Sequence, residues 1–152
     1  MKISIQTEDF DVSTELKILS DHYPQIGGIN VFVGTVRDHH QGAQVSTMSL
    51  EHYPGMTEKS LHEILVAAKS RWDVLNATII HRVGDLKVGE QIVLVAIAST
   101  HRGDAFAACE FVMDYLKTSA PFWKKEQTAQ GAYWVDARTS DEERLKKWQL
   151  TK

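Results

Sequence analysis

Residues 91–119 read QIVLVAIASTHRGDAFAACEFVMDYLKTS. The run IVLVAIA shows no polar alternation, which predicts a strand covered on both faces. Beyond STHR the spacing becomes helical, and a helix is expected from about Arg102 to Ser119. Its buried stripe is read as Phe106, Cys109, Met113 and Leu116, with Ser99 or Thr100 as the cap. A buried strand delivered into a helix calls for an α+β arrangement.

Upstream, ATIIHRVGDL (77–86) is a second strand, joined to the first through KVGE, a short Gly-containing loop that suits a hairpin. PGMTEKSLHEILVAAKSRW (54–72) opens with turn chemistry and becomes a helix. Thr57 is its candidate N-cap, and Met56 and Leu61 stand at the two positions of a hydrophobic staple. Leu61, Ile64, Leu65, Ala68 and Trp72 follow one helical face. GINVFVGTVRD (28–38) predicts a strand ending at Arg37, HHQGA a turn, and QVSTMSLEHY (44–53) the partner strand. Residues 2–7 alternate like an edge strand, and residues 13–21 suit a short helix capped by Ser13.

Downstream, Pro121 stops the long helix, and PFWKKEQTAQGAYWVDA predicts two short strands around Gln130-Gly131. The tail from Arg138 is highly charged and is expected to fray. With no repeat or linker, residues 1–152 are read as one domain, strand–strand–helix repeated roughly twice.

The charge balance, 17 Lys+Arg against 20 Asp+Glu, argues against a general nucleic-acid binder, which needs a basic surplus. A local basic pocket for one anionic ligand is compatible with it. The single cysteine, Cys109, is compatible with a reducing compartment. MKISIQTEDF reads as a strand rather than a leader, and no apolar run approaches the ~20 residues of a membrane helix. A cytoplasmic location is therefore the expectation.

Several cations sit against the local grain. Lys117 follows Met113 by four residues and Phe106 by eleven, close to three turns, so its stem is expected near the apolar stripe. Two readings stand: a last-turn lysine reaching back to water, or a partly desolvated amine suited to nucleophilic or proton-transfer work. His101 and Arg102 open a helix, where cations oppose the macrodipole. Together with the free amides they suit a phosphate, whereas a simple Arg102–Asp104 pair is the plainer alternative. Arg37 closes a strand beside a Gly-containing loop, a good place for a ligand group and also an ordinary surface position. In PFWKKE, strand alternation sends Lys124 and Lys125 to opposite faces without choosing between them. His39, His40, His52, His81 and His101 lack zinc-ligand spacing, and Cys109 reads as a small core residue.

The words GTVRDHHQG, LEHYPGMTEKSL, HRVGDLKVGE, STHRGDAF and MDYLKTSAPFWKKE, in that order, resemble the large, catalytic subunit of molybdopterin synthase, the MoaE family. The resemblance covers about Gly28 to Arg138. It implies an α/β hammerhead fold with a mixed or antiparallel sheet and two main helices. It also implies a sulfurtransferase of molybdenum cofactor biosynthesis. In that family a small ubiquitin-like carrier inserts a C-terminal thiocarboxylate, and two successive sulfurs convert cyclic pyranopterin monophosphate to the dithiolene of molybdopterin. No cofactor is implied, since the partner's thiocarboxylate supplies the sulfur, and no metal. The implied assembly is a heterotetramer around a large-subunit homodimer.

Carried over by the resemblance, Lys117 and Lys124 are catalytic. Thr35, Val36, Arg37, His101, Arg102, Lys125 and Glu126 join them in binding substrate. Because His101-Arg102 open a helix, they are candidates for the neighbouring protomer's pocket as well as their own. Two rival readings explain the charges: a non-catalytic anion-binding module, and a Schiff-base lysine enzyme. Neither accounts for the ordered words.

Overall fold

The structure, a computed structural model, describes residues 1–40, 42–135 and 139–149. Its first layer is a four-stranded sheet in the order β1 (Lys2–Gln6), β5 (Asn76–Arg82), β7 (Gln91–Ser99), β2 (Gly28–Thr35). β1 runs parallel to β5 and the other pairs are antiparallel, so the sheet is mixed. α2 (Met56–Arg71) and α3 (Arg102–Ser119) cover one face, where Leu61, Leu65, Ala68, Ile79, Val95, Ile97, Val112 and Leu116 form the main core. On the other face α1 (Val12–Ser20) brings Leu19 onto Ala96 and Ala98, while Phe10 packs on Ile80 and Leu94. Apolar burial on both sides is why β7 carries no polar alternation.

The second sheet runs β3 (His39–His40), β4 (Ala43–His52), β8 (Phe122–Thr128), β9 (Gly131–Val135), with β6 (Gly84–Lys87) also paired to β4. Here the expected partnership of residues 28–38 with 44–53 is corrected. β2 pairs with β7, and β4 pairs with β6 and β8. β2 takes the edge of the first sheet beside β7, its own residues half-buried or exposed, and proximity in sequence yields to that pairing. β5 and β7 are antiparallel neighbours as expected, but the connection between them first lends β6 to the other sheet.

Local capping differs from the sequence reading in a consistent way. Asp11, not Ser13, caps α1 by accepting from the Thr14 amide at 2.8 Å. Gly55 caps α2 with φ of 86°, a conformation that favours glycine, and its amide donates to Glu58 at 2.6 Å. Met56 is exposed and makes no staple. Thr57 is fully buried, accepts from the Tyr53 amide, and donates to the Pro121 carbonyl at 2.9 Å. It ties the start of α2 to the corner where α3 gives way to β8. His101, rather than Ser99 or Thr100, takes the cap position of α3.

The stripe of α3 is also shifted: Ala105, Ala108, Cys109, Val112, Met113 and Leu116 are buried, while Phe106 is 61% exposed. Alanines let the helix lie close to the sheet, and a phenylalanine in their place would hold it off. Burial pushes the Cys109 thiol up to about 12, as suits an inert core residue.

The charged tail read as frayed forms α4 (Thr139–Gln149) instead, while Arg138 and residues 150–152 lie outside the described residues. Its anchor is Trp148, 5% exposed and edge-on to Trp72 and Phe111. The Trp148 indole donates to Asp114 at 2.8 Å, and Arg144 Nε donates to the same carboxylate at 2.9 Å. The residues of α4 are mostly charged because only one face of it is covered.

Candidate functional site

Where the two sheets and the end of α3 meet, a cavity of about 520 Å³ opens. Three cations reach it from three elements: Arg37 from just beyond β2, Lys117 from the last turn of α3, and Lys124 from β8. Apolar walls come from Phe32, Ile92, Leu116 and Phe122, and Asp141 of α4 stands at the side.

Local structure explains each placement. The β2–β7 register shifts between Gly34 and Thr35, so that Thr35 pairs with Gln91 and leaves Ile92 to the cavity. A bulge of this kind re-aims side chains at a strand end, here Thr35 and then Arg37. Val36 between them is buried against Met48, Leu50 and Leu86, and its amide donates to the Glu90 carbonyl at 3.0 Å. Val36 therefore does not line the cavity; it wedges the two residues that do.

In β8 the alternation resolves as strand geometry requires. Lys124 turns into the cavity with its side chain 31% exposed, and its amine lies 3.3 Å from the carboxylate of buried Glu126, two residues on. Lys125 turns to the opposite face, its amine 5.5 Å from the Trp134 ring centroid. Lys125 is thus outside the cavity, and Glu126 acts on it through Lys124.

Lys117 is exposed at the cavity wall, so the reading of a desolvated amine is not met in the single chain. His101 and Arg102 are not among the cavity's lining residues. Arg102 lies at the far end of α3 from Lys117, about 22 Å along the helix axis. The start of β2 lies at that far end. A Cβ on Gly27 would stand 2.0 Å from the Thr100 carbonyl oxygen, so the N-terminus of α3 is pressed to the end of β2 opposite Thr35.

Sequence reasoning weighed His81 only as a metal ligand, yet it lines the cavity, stacked on Phe122 with ring centroids 3.8 Å apart. A polar residue ending the apolar run ATII was the available signal. Phe32, Phe122 and Asp141 were also missed, and they are brought to the cavity only by the packing of separate elements.

Fold and site together define an α+β protein whose cavity gathers three cationic side chains between two sheets. The family model described as MoaE protein matches residues 5–119. The chain is 62% identical over 146 residues to the molybdopterin synthase catalytic subunit of Ralstonia nicotianae, covering 96% of this chain and 83% of the relative. It is 53% identical over 148 residues to that of Haemophilus influenzae, covering 97% and 98%. The solved molybdopterin biosynthesis MoaE protein of Burkholderia ambifaria superposes with a TM-score of 0.84 at 55% identity, covering 97% of each chain. The chain belongs to the MoaE protein family, that of the catalytic subunit of molybdopterin synthase. It is accordingly an enzyme, a sulfurtransferase of molybdenum cofactor biosynthesis.

Proposed function

We propose that the cavity is the place where the C-terminal thiocarboxylate of a small ubiquitin-like carrier meets cyclic pyranopterin monophosphate. The observation that carries this is the convergence of Arg37, Lys117 and Lys124 on one partly apolar cavity in a chain of net charge −3. Both reactants are anions, and fixed cations in a low-dielectric cleft stabilise charge that develops during acyl and sulfur transfer far better than water does. Lys117, on the open wall, meets the incoming tail, whose entry excludes water from the amine. Lys124, held by Glu126, stabilises the tetrahedral oxyanion. Arg37 and Thr35 face the phosphate and pterin. The sulfur comes from the carrier, with no resident cofactor.

The word subunit in the relatives' names fits such a carrier as partner. A homodimer of this chain within a heterotetramer would let His101 and Arg102 complete the neighbouring protomer's pocket, since their own lies about 22 Å away. Among the described residues no helix is long and apolar enough to cross a membrane, and a cytoplasmic site of action is part of the same proposal.

Reconstitution with thiocarboxylated carrier and the cyclic pterin, followed by mass spectrometry of the pterin, tests the reading. Dithiolene formation is expected with the wild-type chain, and a loss of about 10²- to 10³-fold with Lys117→Ala. Undiminished transfer by that variant would remove Lys117 from the mechanism.

A further inference from the structure

His81 is the buried polar group in the cavity to which the proposed chemistry gives no task. It ends β5 on the face that also carries Ala77 and Ile79, and its ring lies nearly parallel to Phe122, at 18°. Its Nδ1 stands 2.8 Å from the Arg82 carbonyl oxygen. A carbonyl only accepts, so Nδ1 carries the hydrogen, and in the neutral ring Nε2 holds the lone pair.

That carbonyl is itself held in place. The Arg82 guanidinium donates to the carbonyls of Thr7 and Gln91, pinning the end of β5 from the opposite face. Among the described residues no buried side-chain nitrogen or oxygen lacks a partner, and the hydrogen bond that His81 makes among them is through Nδ1, not Nε2. Nε2 is therefore open to the cavity.

The ring is also kept neutral. Burial pushes the imidazole down to about 4, and the charges of Lys117 from α3 and His52 from β4 push the same way. The hydrogen bond to Arg82 pulls the other way, more strongly than either charge pushes, but burial outweighs it. Lys117 and His81 line the same cavity, one from the last turn of α3 and the other from the end of β5.

We propose that His81 is a positioning residue for Lys117, its Nε2 lone pair accepting a hydrogen bond from the Lys117 ammonium as the anionic tail enters the cavity. This rests on the reading of the cavity as the sulfur-transfer site. A carboxylate at position 81 would also hold the amine, but it would cancel the cation and repel the thiocarboxylate. A neutral, weakly basic acceptor orients the ammonium and leaves its charge for the reaction. Stacking on Phe122 and the Nδ1 hydrogen bond fix the ring on both counts, so the acceptor is preorganised.

Three variants of the full chain separate this role from mere packing. His81→Phe keeps the aromatic stack and removes the acceptor, His81→Gln returns an oxygen near the Nε2 position, and His81→Asn keeps only the short reach toward Arg82. Turnover with thiocarboxylated carrier, thermal stability, and the ¹⁵Nζ resonance of Lys117 in the carrier complex are measured for each. His81→Phe and His81→Asn are expected to lose about 10- to 100-fold in kcat, the scale of one hydrogen bond to a charged group. KM for the pterin should stay within about twofold, with His81→Gln recovering most of the rate. The Nζ resonance should move in the two inactive variants and return in His81→Gln.

Unchanged kcat in folded His81→Phe, or an unmoved Nζ resonance, overturns the proposal. So does a loss confined to pterin KM, which would make His81 a substrate contact instead. Failure of the wild-type chain to form product would defeat the sulfur-transfer reading. The Nζ resonance in the carrier complex would still decide the role of His81.

Discussion

Lys117 shows how a single position is misjudged by a sound calculation. It follows exposed Phe106 by three turns and buried Met113 by four residues, so it stands at the border of the buried face, exposed at the cavity wall. The helical arithmetic holds; of its two reference residues Met113 is buried and Phe106 is not, since alanines rather than the phenylalanine meet the sheet. For Lys124 and Lys125, alternation was legible and the choice of face was not. That choice depends on β4 and β9 flanking β8 and on Glu126 lying buried beside Lys124.

His81 carries a prediction at the same scale. Its folded-state value is depressed from 6.5 to about 4, so between those values the unfolded chain binds a proton that the folded chain rejects. Stability from this group is therefore complete above about pH 6.5 and falls as pH drops toward 4. The slope approaches about 1.4 kcal/mol per pH unit and the total is on the order of 3 kcal/mol. In thermal melts from pH 7 to pH 4, wild type should lose stability relative to His81→Phe as the pH falls. Parallel curves would show that His81 is not buried neutral.

At the scale of elements, helices and strands were largely legible because each presents its own period. The ends were less so, because caps are chosen by contacts. Asp11 wins over Ser13 by reaching Thr14, and Thr57 is claimed by the distant Pro121 carbonyl. α4 is the instructive failure. Its composition suggests a solvated tail, and the helix persists because Trp148 enters the cluster of Trp72 and Phe111 while Asp114 accepts from both Trp148 and Arg144. Trp148→Ala should cost about 3–5 kcal/mol, the usual range for a buried tryptophan. It should also release α4, which hydrogen exchange of the 139–149 amides would report. Since α4 brings Asp141 to the cavity, the same variant should alter anion affinity there. Unchanged exchange would mean that α4 is held by other contacts.

For the whole molecule, the telling distance is the length of α3. With Lys117 at one end and Arg102 about 22 Å away at the other, one chain does not gather all the cations that family likeness assigns to a pocket. A shared site makes a simple prediction. His101→Ala and Lys117→Ala chains, each inactive alone, should recover up to about a quarter of wild-type product per chain when mixed and allowed to exchange. The hybrid dimer retains one intact pocket, and half the mixed dimers are hybrids under random pairing. No recovery after demonstrated exchange would place both residues in service of the same chain's chemistry.

The sequence by itself determined the α+β class, the positions of the main helices and strands, and, through its ordered words, the family. These follow from local periodicity and from long strings whose chance recurrence is negligible. Tertiary structure alone decided that β2 lies beside β7, that Val36 and Lys125 stand outside the cavity, and that His81 stands inside it with a fixed tautomer. Each of those depends on which apolar surfaces find one another across the chain, and no window of neighbouring residues contains that information.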